Sequence, residues 1–178
     1  MTDYQAVYED SIDNYGLITT RRAKELGLAP NALAQLAYRG RLERVGHGVY
    51  RLAAPVPFAG EAPAYALAVA QVGPEAVLWG ESVLGLLGLS PTDPARIHVG
   101  FAGRLRRRVP DGIAVHPAAP GAATTIYEGV PAQPVGDALR ACRGALMPER
   151  LLAAAKRARE RGLLTEREYE SARKDLAK

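Results

Sequence analysis

The sequence contains little of what a metal site, a disulfide or a membrane anchor would require. It has one cysteine, Cys142, which excludes an internal disulfide and argues against a thiolate metal site. Only three histidines are present, and no group of His, Cys, Asp and Glu has the spacing of metal ligands. No run of about twenty apolar residues occurs, and the acidic start with Asp3, Glu9 and Asp10 is unlike a signal peptide. We therefore expect a cytoplasmic protein without metal, cofactor or membrane contact.

Sequence motifs of catalysis are missing as well. No glycine-rich phosphate loop follows a predicted strand, no Gly-x-Ser-x-Gly sequence occurs, and no carboxylates are placed as metal ligands. Hydrophobic residues make up 48% of the 178 residues, which is enough for a folded core. The sequence therefore predicts one or two folded domains and a protein that is not an enzyme.

The positive charge is concentrated in a few segments, although the net charge of +4 is modest. Residues 1–18 carry four acids and no base, whereas residues 19–51 carry seven bases against two acids. A second concentration consists of Arg104, Arg106, Arg107 and Arg108. Because a polyanion responds to local charge more than to the net sum, both segments are candidate nucleic-acid contacts.

The first basic segment has the pattern of a helix, a tight turn and a second helix. After a predicted helix over residues 4–14, a helix capped by Thr19 or Thr20 ends at Gly27. The next helix starts with Pro30 at its first position and ends at Gly40. Its apolar stripe leaves an opposite face that can donate hydrogen bonds to base edges or phosphates. That face consists of Asn31, Gln35, Tyr38 and Arg39.

A hairpin follows directly, in the stretch LERVGHGVYRL at residues 42–52. Two short strands flank Gly46-His47-Gly48, which predicts a three-residue loop. A helix-turn-helix followed by a hairpin is the order of a winged helix-turn-helix, whose second helix enters the major groove of DNA. Winged helices also serve as protein-binding modules, and this alternative stays open. The predicted DNA contacts are Arg21, Arg22, Asn31, Gln35, Tyr38, Arg39, Arg41, Arg44 and His47, with Arg104, Arg106, Arg107 and Arg108 on flanking DNA or on an acidic protein.

The rest of the chain predicts a second, mixed α/β domain. A Pro- and Ala-rich linker precedes helices over residues 61–72 and 75–88, the second broken near Gly80 and carrying a buried Trp79. Residues 96–101 and 112–117 predict strands, with Val99 and His98 on opposite faces. The C-terminal helices carry a basic run, Lys156 to Arg161, for which a solvated face is the first expectation and an acidic or nucleic-acid partner the alternative. The predicted fold is α+β, with a winged helix-turn-helix in residues 1–54 and an α/β domain ending in helices in residues 61–178.

Residues 16–52 resemble the N-terminal winged helix of AbiE-type (AbiEi family) antitoxins, the regulator half of type IV toxin–antitoxin and abortive-infection systems. The resemblance is carried by the Gly-Leu-Ile-Thr opening, the Leu26-Gly27 turn and the run from Arg44 to Tyr50. Residues 61–145 resemble the second domain of that family through Gly129-Val130-Pro131 and Asp137. Here Gln133-Pro134-Val135-Gly136 replaces the usual Ser/Thr-Pro-x-Arg-Thr step of the family.

This resemblance implies a sequence-specific transcriptional autorepressor that acts as an antitoxin. Its DNA partner would be an operator with inverted repeats upstream of its own operon. A nucleotidyltransferase-type toxin would be counteracted directly or indirectly. Two alternatives stay open: a toxin-neutralising interaction module with only non-specific DNA binding, and a one-component repressor without a toxin.

Overall fold

The computed structural model describes residues 2–91 and 95–176. These residues form two compact units that divide after Pro74. Each unit contains its own β-sheet and its own helices, so the α+β class predicted from the sequence is confirmed: a winged helix-turn-helix precedes a mixed α/β region that ends in helices. Within the described ranges, no helix has the length and apolar character needed to cross a membrane.

The first unit is a three-stranded antiparallel sheet with four helices, three of them before its hairpin. The strand order is β1-β3-β2. Strand β1 was not predicted, because three residues are too few for an alternating pattern. It forms because its residues pair with β3: Leu17 with Arg51, Ile18 with Tyr50 and Thr19 with Val49. The elements are α1 (Asp3–Ile12), β1 (Leu17–Thr19), α2 (Thr20–Glu25), α3 (Ala32–Tyr38), β2 (Leu42–Gly46), β3 (Val49–Leu52) and α4 (Ala62–Val72).

The core of the first unit takes one apolar stripe from each of the first three helices. Its members are Val7, Ile18, Ala23, Leu33, Leu36, Leu42, Tyr50 and Leu52. Pro30 was predicted to open α3, and that prediction is wrong. The backbone N–H of Ala32 donates to the carbonyl of Ala29 at 2.9 Å, which places Pro30 in a turn before the helix, a position that its fixed φ angle favours.

The Pro- and Ala-rich segment after β3 packs on the first unit. Val56 packs against its core, and the ring of Phe58 meets the ring of Tyr15 edge-on, with 5.1 Å between centroids and 69° between planes. The segment has no helix or strand between Leu52 and Ala62. It was expected to be a linker, but its aromatic and branched residues anchor it to the first unit.

The second unit is a five-stranded mixed sheet with four helices among its described residues. The strand order is β6-β5-β4-β8-β7, with β5 parallel to β6 and β4 parallel to β8. The remaining two pairs are antiparallel. The elements are β4 (Val77–Leu78), α5 (Glu81–Leu86), β5 (Ile97–Ala102), β6 (Ile113–Ala118), β7 (Thr125–Tyr127), β8 (Val130–Ala132), α6 (Val135–Ala141), α7 (Pro148–Glu160) and α8 (Glu166–Leu176).

The predicted helix over residues 75–88 is wrong in its first half. Val77 and Leu78 form the central strand β4 because they pair with β5 on one side and Leu78 also pairs with β8 on the other. The helix α5 starts only after Gly80, whose φ of +49° lies in the left-handed region that favours glycine. The strands predicted at residues 96–101 and 112–117 are confirmed as β5 and β6.

The two faces of the second sheet differ sharply in burial. Leu78, Val99, Val130 and Ala132 share one face through the strand register, and none of them exposes any surface. On the other face, Trp79, His98 and His116 are half-buried, Pro131 is exposed, and Ile126 is 68% exposed. One face therefore forms the core, and the other face is partly exposed to solvent. Trp79 was expected in the core, and that expectation is wrong because its side chain lies on the partly exposed face.

Trp79 lies across the neighbouring strand β5, and a glycine makes room for it. A Cβ atom on Gly100 would come within 2.4 Å of the Cε3 atom of Trp79, a distance that real Cβ atoms essentially never show. Gly100 has no positive φ angle, so space and not backbone conformation is the reason for glycine here. The position of the indole ring on the sheet depends on this missing side chain.

We expect Gly100→Ala to destabilise the second unit by about 1–3 kcal/mol, because the added methyl group forces the indole ring off the strand. Chemical denaturation followed by circular dichroism measures the loss. Gly112→Ala is the matched control, since a Cβ there meets no atom within 4 Å. Equal unfolding midpoints for the two variants would show that Trp79 does not depend on Gly100.

Candidate nucleic-acid interface

The outer side of α3 is an exposed helical surface with side chains suited to DNA. Ala32, Leu33 and Leu36 are buried, whereas Asn31, Ala34, Gln35, Tyr38 and Arg39 are exposed. At 100° per residue these exposed positions share one side of the helix. We call Asn31, Gln35, Tyr38 and Arg39 the α3 outer face.

Tyr38 is the extreme member of the α3 outer face. It is 95% exposed, so its ring contributes almost nothing to the packing of the first unit. Exposing a large aromatic side chain to water in this way forgoes about 1.5–3 kcal/mol of burial free energy. A ring that folding does not use is available for contact with a partner.

The start of α2 is capped as predicted. The side chain of Thr19 accepts a hydrogen bond from the backbone N–H of Arg22 at 3.1 Å, which satisfies one free donor of the helix. Arg21 is exposed and lies 3.3 Å from Glu25, an ion pair on the surface. A surface pair of this kind contributes little, so Arg21 can exchange Glu25 for a phosphate.

Arg22 is exposed like Arg21, but it differs in its partner, which is a nearly buried carboxylate on another helix. Its guanidinium lies 2.6 Å from a carboxylate oxygen of Asp10 and 3.3 Å from Glu25. The side chain of Asp10 is only 10% exposed. The hydrogen bond to Asp10, followed by that to Glu25, raises the pKa of Arg22. This arginine therefore ties α2 to α1.

The hairpin of β2 and β3 is the wing, and its tip is shorter than predicted. Gly46 pairs with Val49, so the loop holds two residues, His47 and Gly48, and not three. A bulge between Arg44 and Gly46 takes up the extra residue of β2. Gly48 has a φ of +68°, which explains the glycine there. His47 is exposed at the tip.

The wing is fixed from two directions. The backbone N–H of Thr20 donates to the carbonyl of Gly48 at 2.9 Å, which joins the first residue of α2 to the wing tip. Gln71 of α4 donates to the carbonyl of Val45 at 2.6 Å, at the bulge where the strand pairing is interrupted. The contact between Gln71 and Val45 could not be predicted from the sequence, because the partners lie 26 residues apart.

The remaining arginines near the wing are exposed but make local contacts. Arg44 donates to the carbonyl of Gly46 at 3.3 Å, and Arg51 lies 2.6 Å from Glu43. Arg41 stands over the ring of Tyr4 at 5.2 Å from its centroid. All three guanidinium groups reach solvent, so they add positive charge beside the wing.

The second basic segment lies in the other unit. Residues 103–112 join β5 to β6, and we call them the arginine loop. Arg104, Arg106 and Arg108 are exposed, and they alternate with the half-buried Leu105, Arg107 and Val109. This alternation presents three of the four predicted arginines to solvent.

Two arginines of the C-terminal basic run bind backbone carbonyls of the second unit, which the sequence did not predict. Arg157 donates to the carbonyl of Leu89 at 3.1 Å, and Arg161 donates to the carbonyl of Leu87. Leu87 is the C-terminal cap of α5, where free carbonyls make a helix end negative. These two arginines stabilise the end of α5, so the run is not simply a solvated face.

Three aromatic rings on the open face of the second sheet were missed as a group. The planes of Trp79 and His116 differ by 9°, and those of His116 and His98 by 18°. His98 Nδ1 and His116 Nε2 are 2.8 Å apart, a hydrogen bond. Burial, followed by the charge of His98, lowers the pKa of His116. The only signal in the sequence was the alternation that placed His98 opposite Val99.

The lone cysteine does not belong to any reactive group. Burial, with a smaller effect of Glu81, raises the pKa of Cys142 to about 12. Its thiol is therefore protonated at neutral pH, and Cys142 packs in the core. Across the two described ranges, no group of three or more His, Cys, Asp or Glu side chains is placed to hold a metal ion.

The geometry of the first unit defines it as a winged helix-turn-helix, in which α2 and α3 are the two helices and β2 and β3 the wing. Residues 8–53 match the model of a protein family described as transcriptional regulator, AbiEi antitoxin. The resemblance seen in the sequence is confirmed over this region. Residues 8–53 are therefore similar to the N-terminal part of an AbiEi antitoxin-type transcriptional regulator.

The crystal structure of the RV2827C protein from Mycobacterium tuberculosis is similar over 98% of this chain and 82% of its own, at 17% identity and a TM-score of 0.38. At that score the likeness supports no conclusion about this chain. No curated protein matches the sequence.

We expect Arg22→Ala to lower stability more than it lowers affinity for DNA, because it leaves the nearly buried carboxylate of Asp10 without its cation. Denaturant unfolding should show a lower midpoint for Arg22→Ala than for Arg21→Ala, whose pair is wholly on the surface. If Arg22→Ala keeps its midpoint and loses DNA affinity, the side chain contacts phosphate and not Asp10.

We expect Gln71→Ala to loosen the wing, since the carbonyl of Val45 loses its donor. A net hydrogen bond is worth about 0.5–1.5 kcal/mol, so backbone amides of residues 45–49 should exchange roughly two- to tenfold faster. Hydrogen exchange followed by mass spectrometry measures this. Gln5→Ala on exposed α1 is the control, and unchanged exchange in Gln71→Ala would show that α4 does not hold the wing.

Proposed function

We propose that this protein is a sequence-specific DNA-binding repressor of the AbiEi antitoxin class that acts in the cytoplasm. The observation that supports the proposal most is the α3 outer face. Four side chains with hydrogen-bonding groups stand on one exposed side of the second helix of a winged helix-turn-helix, and Tyr38 is 95% exposed. The second helix of this motif is the one that enters the major groove.

Each member of the α3 outer face has a distinct chemical role in this proposal. The amide groups of Asn31 and Gln35 can pair with the N6 and N7 atoms of adenine, and Arg39 can pair with guanine or with a phosphate. Tyr38 offers a hydroxyl group and an apolar ring, which suits a phosphate and a thymine methyl group. Asn31 and Gln35 lie about one turn apart, so they stand on the same side of the helix.

Positive side chains around that face would bind the DNA backbone. Arg21 at the start of α2, Arg41 and Arg44 near the wing, and His47 at its tip are all exposed. The contact between Thr20 and Gly48 keeps the wing tip beside the start of α2. Phosphate contacts of this kind set affinity and register without reading sequence.

The regulatory context comes from the family match alone. An AbiEi-type antitoxin would repress its own operon, at inverted repeats that take two copies of the winged helix, and would counteract a nucleotidyltransferase-type toxin directly or indirectly. Arg104, Arg106 and Arg108 are exposed in the second unit and would extend the contact to flanking DNA or meet an acidic protein. Charge reversal at Arg106 distinguishes the two partners. It would weaken binding to the DNA if the loop contacts flanking DNA, and binding to the acidic protein if the loop contacts that protein.

We expect Gln35→Ala and Arg39→Ala each to weaken binding to the operator by about 1–3 kcal/mol and to reduce its preference over a shuffled duplex. Fluorescence anisotropy with DNA from upstream of the gene, across a salt series, measures both quantities. By contrast, Arg44→Ala should weaken both duplexes alike and lower the salt slope by about one.

Two variants control for side-chain type in this assay. Gln5→Ala and Arg167→Ala remove exposed residues of the same kinds on α1 and α8, and they should leave operator affinity unchanged. If Gln35→Ala and Arg39→Ala behave like their controls, α3 is not the recognition helix. Equal affinity of the unaltered protein for both duplexes would reduce the proposal to non-specific DNA binding.

A further inference from the structure

The open face of the second sheet carries a row of three nearly parallel aromatic rings, which we call the ring row. Trp79, at the end of β4, lies across Gly100 of β5 towards His116 of β6. His98 stands on β5 next to His116, with 5.0 Å between their ring centroids. The rings thus span three adjacent strands on one side of the sheet.

The ring row is accessible, although each ring is half-buried. On the same face Pro131 is exposed on β8, the strand next to β4, and each ring keeps part of its own surface in contact with solvent. The only side-chain hydrogen bond of the three rings within the described ranges is the one between the two histidines. None of their other nitrogens is among the described buried atoms that lack a partner, so these nitrogens keep some contact with solvent.

The hydrogen bond between the histidines sets what the ring row can offer to a ligand. In the neutral pair one ring nitrogen donates and the other accepts, which leaves one outward donor and one outward acceptor. The indole N–H of Trp79 adds a second donor. Flat rings with hydrogen-bond donors and acceptors at their edges suit a ligand that is itself a flat heterocycle with donors and acceptors at its edge.

Positive charge lies close to the ring row in sequence and in the sheet. The arginine loop joins the two strands that carry the histidines, and it begins directly after β5. Its exposed Arg104, Arg106 and Arg108 occur at every second position. Three exposed guanidinium groups within five residues concentrate positive charge on this loop, which suits the phosphates of a nucleic-acid strand.

From these observations we propose that the open face of the second sheet binds single-stranded nucleic acid. Unpaired bases stack on the ring row, and the arginine loop pairs with the phosphates. Base stacking on aromatic rings beside a basic groove is a general way of binding a single strand with little sequence preference. In a duplex the bases stack on each other, so their faces are not available to the ring row.

The test uses the fact that Trp79 is the only tryptophan of the chain. We would titrate the full-length protein with an oligothymidylate, with an oligouridylate of the same length and with a duplex, and follow tryptophan emission. Stacking on the indole ring should quench emission to a saturating level with either single strand and leave it unchanged with the duplex. The ratio of the two single-strand affinities tells DNA from RNA.

Variants separate stacking from mere charge. His116→Ala keeps the fluorophore and should weaken single-strand affinity by roughly fivefold or more, the effect of losing one stacking ring. Arg106→Ala should weaken it and lower its salt slope by about one, while Arg167→Ala should do neither. Anisotropy of a labelled oligonucleotide with Trp79→Phe and with His116→Ala supplies a second readout, and circular dichroism shows that each variant is folded.

The outcomes distinguish this proposal from the duplex repressor. Single strands that bind by anisotropy without quenching Trp79 would overturn it, as would equal affinity of the folded His116→Ala protein. Loss of binding in Gln35→Ala would also overturn it, because the single strand would then occupy α3. If the protein prefers its operator but single strands do not quench Trp79 emission, only the single-strand site is refuted. If single strands quench Trp79 emission but the protein does not prefer its operator, only the repressor proposal is refuted.

Discussion

The pairing of β1 with β3 is the contact on which the shape of the first unit depends. The three residues of β1, Leu17 to Thr19, pair with β3 and so bring the chain before α2 to the second strand of the hairpin. Thr20, the next residue, then donates to Gly48 at the wing tip. The helix-turn-helix and the wing thus become one body, and the spacing between α2 and the wing tip is fixed by backbone hydrogen bonds.

Arginines fall into two groups, and only one of them matters for a polyanion. Arg22 is paired with Asp10, Arg140 with Asp137 and Asp175, and Arg157 with a carbonyl at the end of α5. These side chains hold elements together, and moving them onto a phosphate would break a contact of the fold. Arg39, Arg104, Arg106 and Arg108 belong to the second group, because they are exposed and make no described contact that connects helices. The net charge of +4 therefore says less about DNA binding than the small set of side chains outside the internal pairs.

The sequence predicted the helices better than the strands, for a physical reason. The buried Leu33 and Leu36 of α3 repeat at helical spacing, and such a stripe is visible without knowing its partner. Strand β4 has two residues, and its status as a central strand comes from β5 and β8, which lie far away in sequence. The exposed α3 outer face followed from the stripe, but the pairing of Arg22 with Asp10 and the contact between Gln71 and Val45 did not. Contacts that join distant segments leave no periodic pattern in the sequence. The sequence could therefore indicate which face of a helix is exposed, but not which charged side chains form ion pairs within the fold.

The two units present different chemistry to nucleic acid. A duplex hides the faces of its bases, so its sequence is read by side chains that protrude, as Gln35 and Tyr38 do from α3. A single strand exposes the faces of its bases, and a flat surface of rings suits them better. Gly100 links this chemistry to the fold, because the indole of Trp79 can lie across β5 only where no side chain stands. A methyl group at that position would raise the ring from the sheet and end its near-parallel arrangement with His116, so the surface proposed for single strands rests on the absence of one side chain.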